Sequence, residues 1–120
     1  DAEISLLEID LELISFIERL SPFGPGNLEP LVVIRDLDVL EKTRIVGKHH
    51  LRLSVSQGEG TSLEMIGFSL GKSWRPFDVI GGKIEVLAHL RRNVWQGREE
   101  AQVQVTTIHR TEEPAGIREE

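Results

Sequence analysis

The sequence predicts a mainly β fold: a small five-stranded Greek-key barrel preceded by an N-terminal α-helical segment. Three observations carry this. From Leu31 onward, apolar residues recur with period two in five runs parted by turn-forming residues. Between Asp10 and Leu20 the period is helical instead. And 120 residues, 39% apolar and 28% charged, suit one globular domain with an appended element.

The helix rests on Leu13, Phe16, Ile17 and Leu20, spaced i, i+3, i+4 and i+7, with Leu11 and Ile14 widening the stripe. Asp10 fits the N-cap, and Glu12 suits the positive helix end. Ser21-Pro22 stops it. So short a helix is marginal in water, so its stripe needs a partner surface. Ile4 to Ile9, upstream, is too short to assign. Pro22 to Pro30, rich in proline and glycine, forms the expected hinge into the β region.

The first strand changes parity: Val32 and Ile34 share one face, Leu37 and Val39 the other. A β-bulge does this, letting a bent strand serve two sheets. The second strand is His49–Gln57, with Leu51, Leu53 and Val55 inward and His50, Arg52, Ser54 and Ser56 outward. That outward side offers cations and hydroxyls and no carboxylate. Gly58-Glu59-Gly60 suits a tight connection to the third strand, Ser62–Ser69. Gly71 to Gly82 reads as a loop with at most one helical turn. The fourth strand alternates Ile84, Val86, Ala88 and Leu90 with Glu85, Leu87, His89 and Arg91. Asn93–Glu100 is the connection to the fifth, which carries Val103 and Val105. Five strands, the first bent and the longest gap after the third, have the rhythm of an OB-type barrel. An SH3-like barrel is the competitor, but it wants shorter strands and more aromatics. The expected division is a helical linker over 1–29, a barrel over 30–111 and a frayed acidic tail over 112–120.

The net charge of −6 argues alone against nucleic acid, but its distribution reverses that. Residues 1–30 hold seven acids and one base, residues 31–111 nine acids and twelve bases, and residues 112–120 four acids and one base. Local field matters more to a ligand than total charge, and the modest excess predicts weak, salt-sensitive binding. No apolar run is long enough to span a membrane, and with no basic segment leading into an apolar one, no secretory signal is expected. The absence of cysteine excludes disulfides and thiolate metal sites and fits a cytoplasmic setting. Opening at Asp1 rather than Met fits a piece of a longer protein.

Catalysis finds little support. His49 and His50 are strand neighbours pointing to opposite faces, so they cannot share a metal, and His89 and His109 lie on different strands. Ser54, Ser56 and Ser69 read as ordinary outward serines, with no positioned base. No glycine-rich phosphate loop opens a helix.

Binding fits better. OB barrels engage single strands through the second and third strands and the loops at the barrel mouth, using cations for phosphates and flat rings for bases. The candidates are Lys48, His50 and Arg52 on the second strand. Lys72, Trp74 and Arg75 stand in the long loop, and Arg91, Arg92, Trp95 and Arg98 around the last hairpin.

Four stretches then carry a resemblance: Leu20-Ser21-Pro22-Phe23-Gly24-Pro25-Gly26-Asn27-Leu28-Glu29-Pro30, Val46-Gly47-Lys48-His49-His50-Leu51-Arg52-Leu53, Ile66-Gly67-Phe68 and Asn93-Val94-Trp95-Gln96-Gly97. In this order and spacing they resemble the C-terminal OB-fold region of RecJ-type single-strand-specific DNA exonucleases of the DHH phosphoesterase family. The likeness runs from about Leu11 to Ile108; Leu28 stands where the family's proline is expected. The resemblance implies a parent enzyme that hydrolyses single-stranded DNA from the 5′ end in repair and recombination. Its manganese or magnesium cluster would be held by Asp and His residues of two upstream lobes. None of those motifs is here, and Lys48-His49-His50 lacks the aspartate of the Asp-His-His signature. The chain itself is therefore expected to be non-catalytic and cofactor-free, guiding single-stranded DNA towards the parent's catalytic lobes. The alternative is a docking domain that meets the nuclease core or the acidic tail of a single-strand-binding protein. A self-contained enzyme is the third reading.

Overall fold

The computed structural model describes residues 2–20, 31–58 and 60–114. The Pro22–Pro30 hinge, Glu59 and most of the acidic tail lie outside the described residues.

Helix α1 (Leu11–Arg19) forms where the period predicts, and Asp10 Oδ1 accepts the hydrogen bond of the Leu13 amide at 2.8 Å, a side-chain N-cap. The strands are β1 (Ala2–Ile4), β2 (Val32–Val39), β3 (Arg44–Val46), β4 (His50–Ser56), β5 (Ser62–Gly67), β6 (Lys83–Trp95) and β7 (Arg98–Glu112). Five of them close the expected barrel. Its order is β2-β6-β7-β5-β4, and β4 returns to β2 through Asp38↔Ser56 and Val39↔Val55. β5 meets β7 in parallel at Ile66↔Gln104, and the other barrel pairings are antiparallel. This is the OB fold.

The parity change in β2 is a real bulge. The register against β6 slips between Ile34 and Leu37, and Asp36 sits there at φ 58°. Asp tolerates that left-handed backbone better than most residues. Bending frees the first half of β2 for β1 and the second half for β4. The core holds residues that the alternation groups, Ile34, Leu37, Leu51, Leu53, Val55, Ile84, Val86 and Val103, all almost wholly buried. Met65 of the third strand, whose facing the alternation leaves open, joins them. Each such side chain contributes roughly 1.5–3 kcal/mol of transfer free energy.

Several local readings change. β1, too short to assign from sequence, adds a parallel edge along Val32–Ile34. The second strand begins at His50, because Gly47 at φ 61° turns the chain after the short β3, so Lys48 lies in a turn. The third strand stops at Gly67, since Ser69 adopts φ 65°. The Gly71–Gly82 loop contains two 3-10 turns, Leu70–Lys72 and Pro76–Asp78. The second is capped by Asp78 Oδ2, which accepts from the Arg75 amide at 2.9 Å, and it delivers fully buried Val79 to the core. Ser54 is buried rather than outward. Its amide donates to Thr43 Oγ1 at 2.9 Å and its carbonyl accepts from the Leu40 amide at 2.7 Å.

The largest change is the last hairpin. Asn93–Glu100 is not a loop: β6 runs to Trp95, β7 restarts at Arg98, and Gln96-Gly97 alone turns the chain at φ 50° and 76°. Two positive φ values mark a type I′ turn, whose twist matches its strands. β2 follows β6 only to Ala88, and β5 touches β7 at Gln104. Beyond these points a two-stranded ribbon projects, and the molecule extends 52 × 31 × 31 Å.

Candidate nucleic-acid interface

A bare ribbon is marginal in water, so something must brace it. Arg92 does so. Its Nη2 donates to Ser15 Oγ at 2.8 Å and lies 3.1 Å from Glu18 Oε1, both on α1; its Nη1 meets Glu99 Oε1 at 2.7 Å on β7. The hydrogen bond to Glu18, then that to Glu99, raises the guanidinium pKa above its already high value. Arg92 is therefore engaged in holding the helix to the ribbon.

Alternation sends the neighbours of Arg92 to the opposite, outer surface. Cross-strand partners point the same way, so the register traces a row from Arg44 through Arg52, Ile66 and Gln104 to His89. Along β6 the same parity continues to Arg91, Asn93 and Trp95, and along β7 to Gln102, Glu100 and Arg98. Arg52, Arg91, Trp95 and Arg98 thus belong to one continuous outer surface spanning β4, β5, β7 and β6. Trp95 is 63% exposed at the ribbon tip, cross-strand from exposed Arg98.

This surface carries a carboxylate that the second strand's outward face does not. Glu64, on β5, lies 3.3 Å from Arg44 Nη1 and 3.5 Å from Arg52 Nη1. Ile66 is buried between Arg52 and Gln104 in the row. Neither Arg44 nor Glu64 is among the sequence candidates. Outward parity on β5 was the available signal for Glu64, but its partners come from separate strands.

The long loop divides. Gly71 donates its amide to the His49 carbonyl at 2.7 Å, which brings exposed Lys72 to the Lys48–His49 turn. Trp74 goes elsewhere. It is half-buried against the core, with the Arg110 guanidinium 5.9 Å from its ring centroid, and Arg110 Nη1 donates to the Asp78 carbonyl at 2.8 Å. Arg110 stands twelve residues along β7 from Arg98, about 40 Å of strand. Trp74 and its neighbour Arg75 therefore sit far from the ribbon tip. A hollow of about 390 Å³ lies lower on the outer wall, lined by Val33, Arg35, Glu85, Leu87, Thr107 and His109. Its cation is compensated, Arg35 pairing with Glu3 at 3.2 Å and Glu85 at 3.0 Å.

A family model described as the RecJ OB domain matches residues 1–107. The chain belongs to the RecJ OB-domain family. It is also 30% identical over 100 residues to the "single-stranded-DNA-specific exonuclease RecJ" of Bacillus subtilis (strain 168). That alignment takes in 82% of this chain, which spans only 12% of the relative's length. The RecJ resemblance and the barrel it implied are thus borne out together. Among the described residues of this RecJ OB domain, no three His, Asp or Glu side chains gather as a metal site, and no helix is long and apolar enough to cross a membrane.

Proposed function

We propose that this RecJ OB domain binds single-stranded DNA with little base preference and guides it to the catalytic lobes of a 5′–3′ exonuclease. The observation that carries the reading is the shared outer surface of Arg52, Arg91, Trp95 and Arg98, with Lys48 and Lys72 at the turn that leads into β4. Cations spaced along a sheet with an exposed indole supply the two interactions that a single strand offers, phosphate neutralisation and base stacking. Manganese or magnesium belongs, in this reading, with the catalytic lobes, and the setting is the cytoplasm.

A protein contact is favoured on the helix side. Phe16 and Leu20 of the α1 segment are exposed, and the Arg92 clamp fixes how α1 sits on the ribbon. We assign that side to contact with the catalytic lobes rather than to DNA; a single-strand-binding protein is the competing occupant.

Titrating the 120-residue chain with a labelled dT15 over a salt series tests the strand-binding reading. With no tyrosine, intrinsic emission comes from Trp74 and Trp95 alone. We expect quenching that is lost in Trp95→Phe. The slope of log K against log salt should be about −2 to −4, at roughly −0.7 per phosphate on single strands. No binding at low salt overturns the reading.

A further inference from the structure

Phe68 lies outside every candidate drawn from the sequence, yet the fold goes to some length to expose it. The ring is 52% exposed at the end of β5. It is followed by Ser69 at φ 65°, a left-handed backbone that an L side chain rarely adopts. Such outliers persist only where surrounding structure over-determines them. Here the hold is visible: the Ser69 amide donates to His50 Nδ1 at 3.0 Å. The imidazole edge in turn meets the Phe68 ring, centroids 5.4 Å apart and planes at 80°. On the other side Gly67 lets Leu70 approach so closely that a Cβ there would lie 2.5 Å from Leu70 Cδ1. Leu70 itself packs against the core. Phe68 is thus fixed by the perpendicular imidazole while half of its surface stays in water.

The surroundings are cationic. Lys48 stands in the turn before His50, and Lys72 is brought to that turn by the Gly71–His49 hydrogen bond. Among the described residues neither lysine is in an ion pair. Arg52 follows His50 on the same outward parity. A half-exposed aromatic ring braced by a perpendicular imidazole, next to a turn that carries two lysines, matches a nucleobase with flanking phosphates.

We propose that Phe68, held by His50 and Ser69 and flanked by Lys48 and Lys72, is a second base-stacking station for single-stranded nucleic acid. It lies about 30 Å from Trp95 along the sheet surface. The proposal rests on the strand-binding reading above and extends it: the strand is gripped at both ends of its path, not only at the ribbon tip. That span fits within the roughly 4–16 nucleotides an OB barrel occupies.

The test compares dT15 affinity of the 120-residue chain with Phe68→Leu, Phe68→Trp and Trp95→Leu, after thermal melts establish that each is folded. Leucine keeps an apolar side chain without a flat face, whereas tryptophan keeps the face. Phe68→Leu should weaken binding by about fivefold to a hundredfold, the range of one lost stack. Phe68→Trp should retain it, and the salt slope should stay unchanged because no phosphate contact is lost. Equal affinities for Phe68→Leu and the parent chain, with Trp95→Leu impaired, overturn the second station and leave the strand-binding reading standing. Failure of the parent chain to bind at low salt overturns both.

Discussion

The two tryptophans show how far one residue type can diverge within a single small barrel. Trp95 lies at the ribbon tip, three residues beyond the Arg92 brace, and its indole stays in water. Trp74 follows a 3-10 turn whose Leu70 packs against the core, and Arg110 from β7 covers its ring. Trp74→Ala should therefore lower stability in urea by about 2–3 kcal/mol, somewhat under the cost for a fully buried tryptophan, while leaving dT15 affinity intact. A loss of affinity in the folded variant would return Trp74 to the interface. Proximity of tryptophan to arginine in sequence was no guide here, because the arginine that matters to Trp74 is thirty-six positions away. Period-two alternation assigns Arg52, Arg91 and Trp95 their faces correctly. It cannot assign Ser54, whose burial comes from the Leu40–Thr43 segment folding over it.

At the level of elements, the last hairpin and the helix depend on each other. α1 alone is too short to persist in water, and a two-stranded ribbon alone is scarcely better. Arg92 joins them through Ser15, Glu18 and Glu99. Arg92→Met should speed hydrogen exchange at the amides of residues 98–103 and leave those of β4 protected. Because Arg92 faces away from the proposed strand path, the salt slope for dT15 should not change. A shallower slope would place Arg92 on DNA after all. The ribbon was hidden in the sequence by its chemistry: Asn93, Gln96, Gly97, Glu99 and Glu100 resemble a polar loop. Polar residues on both sides of a ribbon are tolerated because neither edge is buried in the barrel.

Across the whole molecule, closure of the barrel joins the far half of β2 to β4, beside the start of β6. Lys83 Nζ lies 2.8 Å from Asp38 Oδ1 at that seam, and its cross-strand partner is Asp38. The hydrogen bond to Asp38, then the charge of Asp38, raises the Lys83 pKa above the ordinary lysine value. A raised folded-state value stabilises fully below the unfolded lysine pKa, and the contribution is lost as pH rises through the folded one. Lys83→Met should therefore melt below the parent chain at neutral pH, with the gap narrowing only above about pH 10.4. A gap that is constant into strong alkali would mean that packing, not charge, is what the substitution removes. By itself the sequence determined the barrel class, the inward residues of the second and fourth strands, the β2 bulge and the Asp10 cap, because alternation, helical period and cap chemistry are local and leave their mark on neighbouring residues. Only the tertiary structure decided which cations share a surface, that Arg92 serves the helix, that Trp74 is covered and that Phe68 is held in the open. Those outcomes depend on partners tens of residues away, and register between distant strands leaves no periodic signal along the chain.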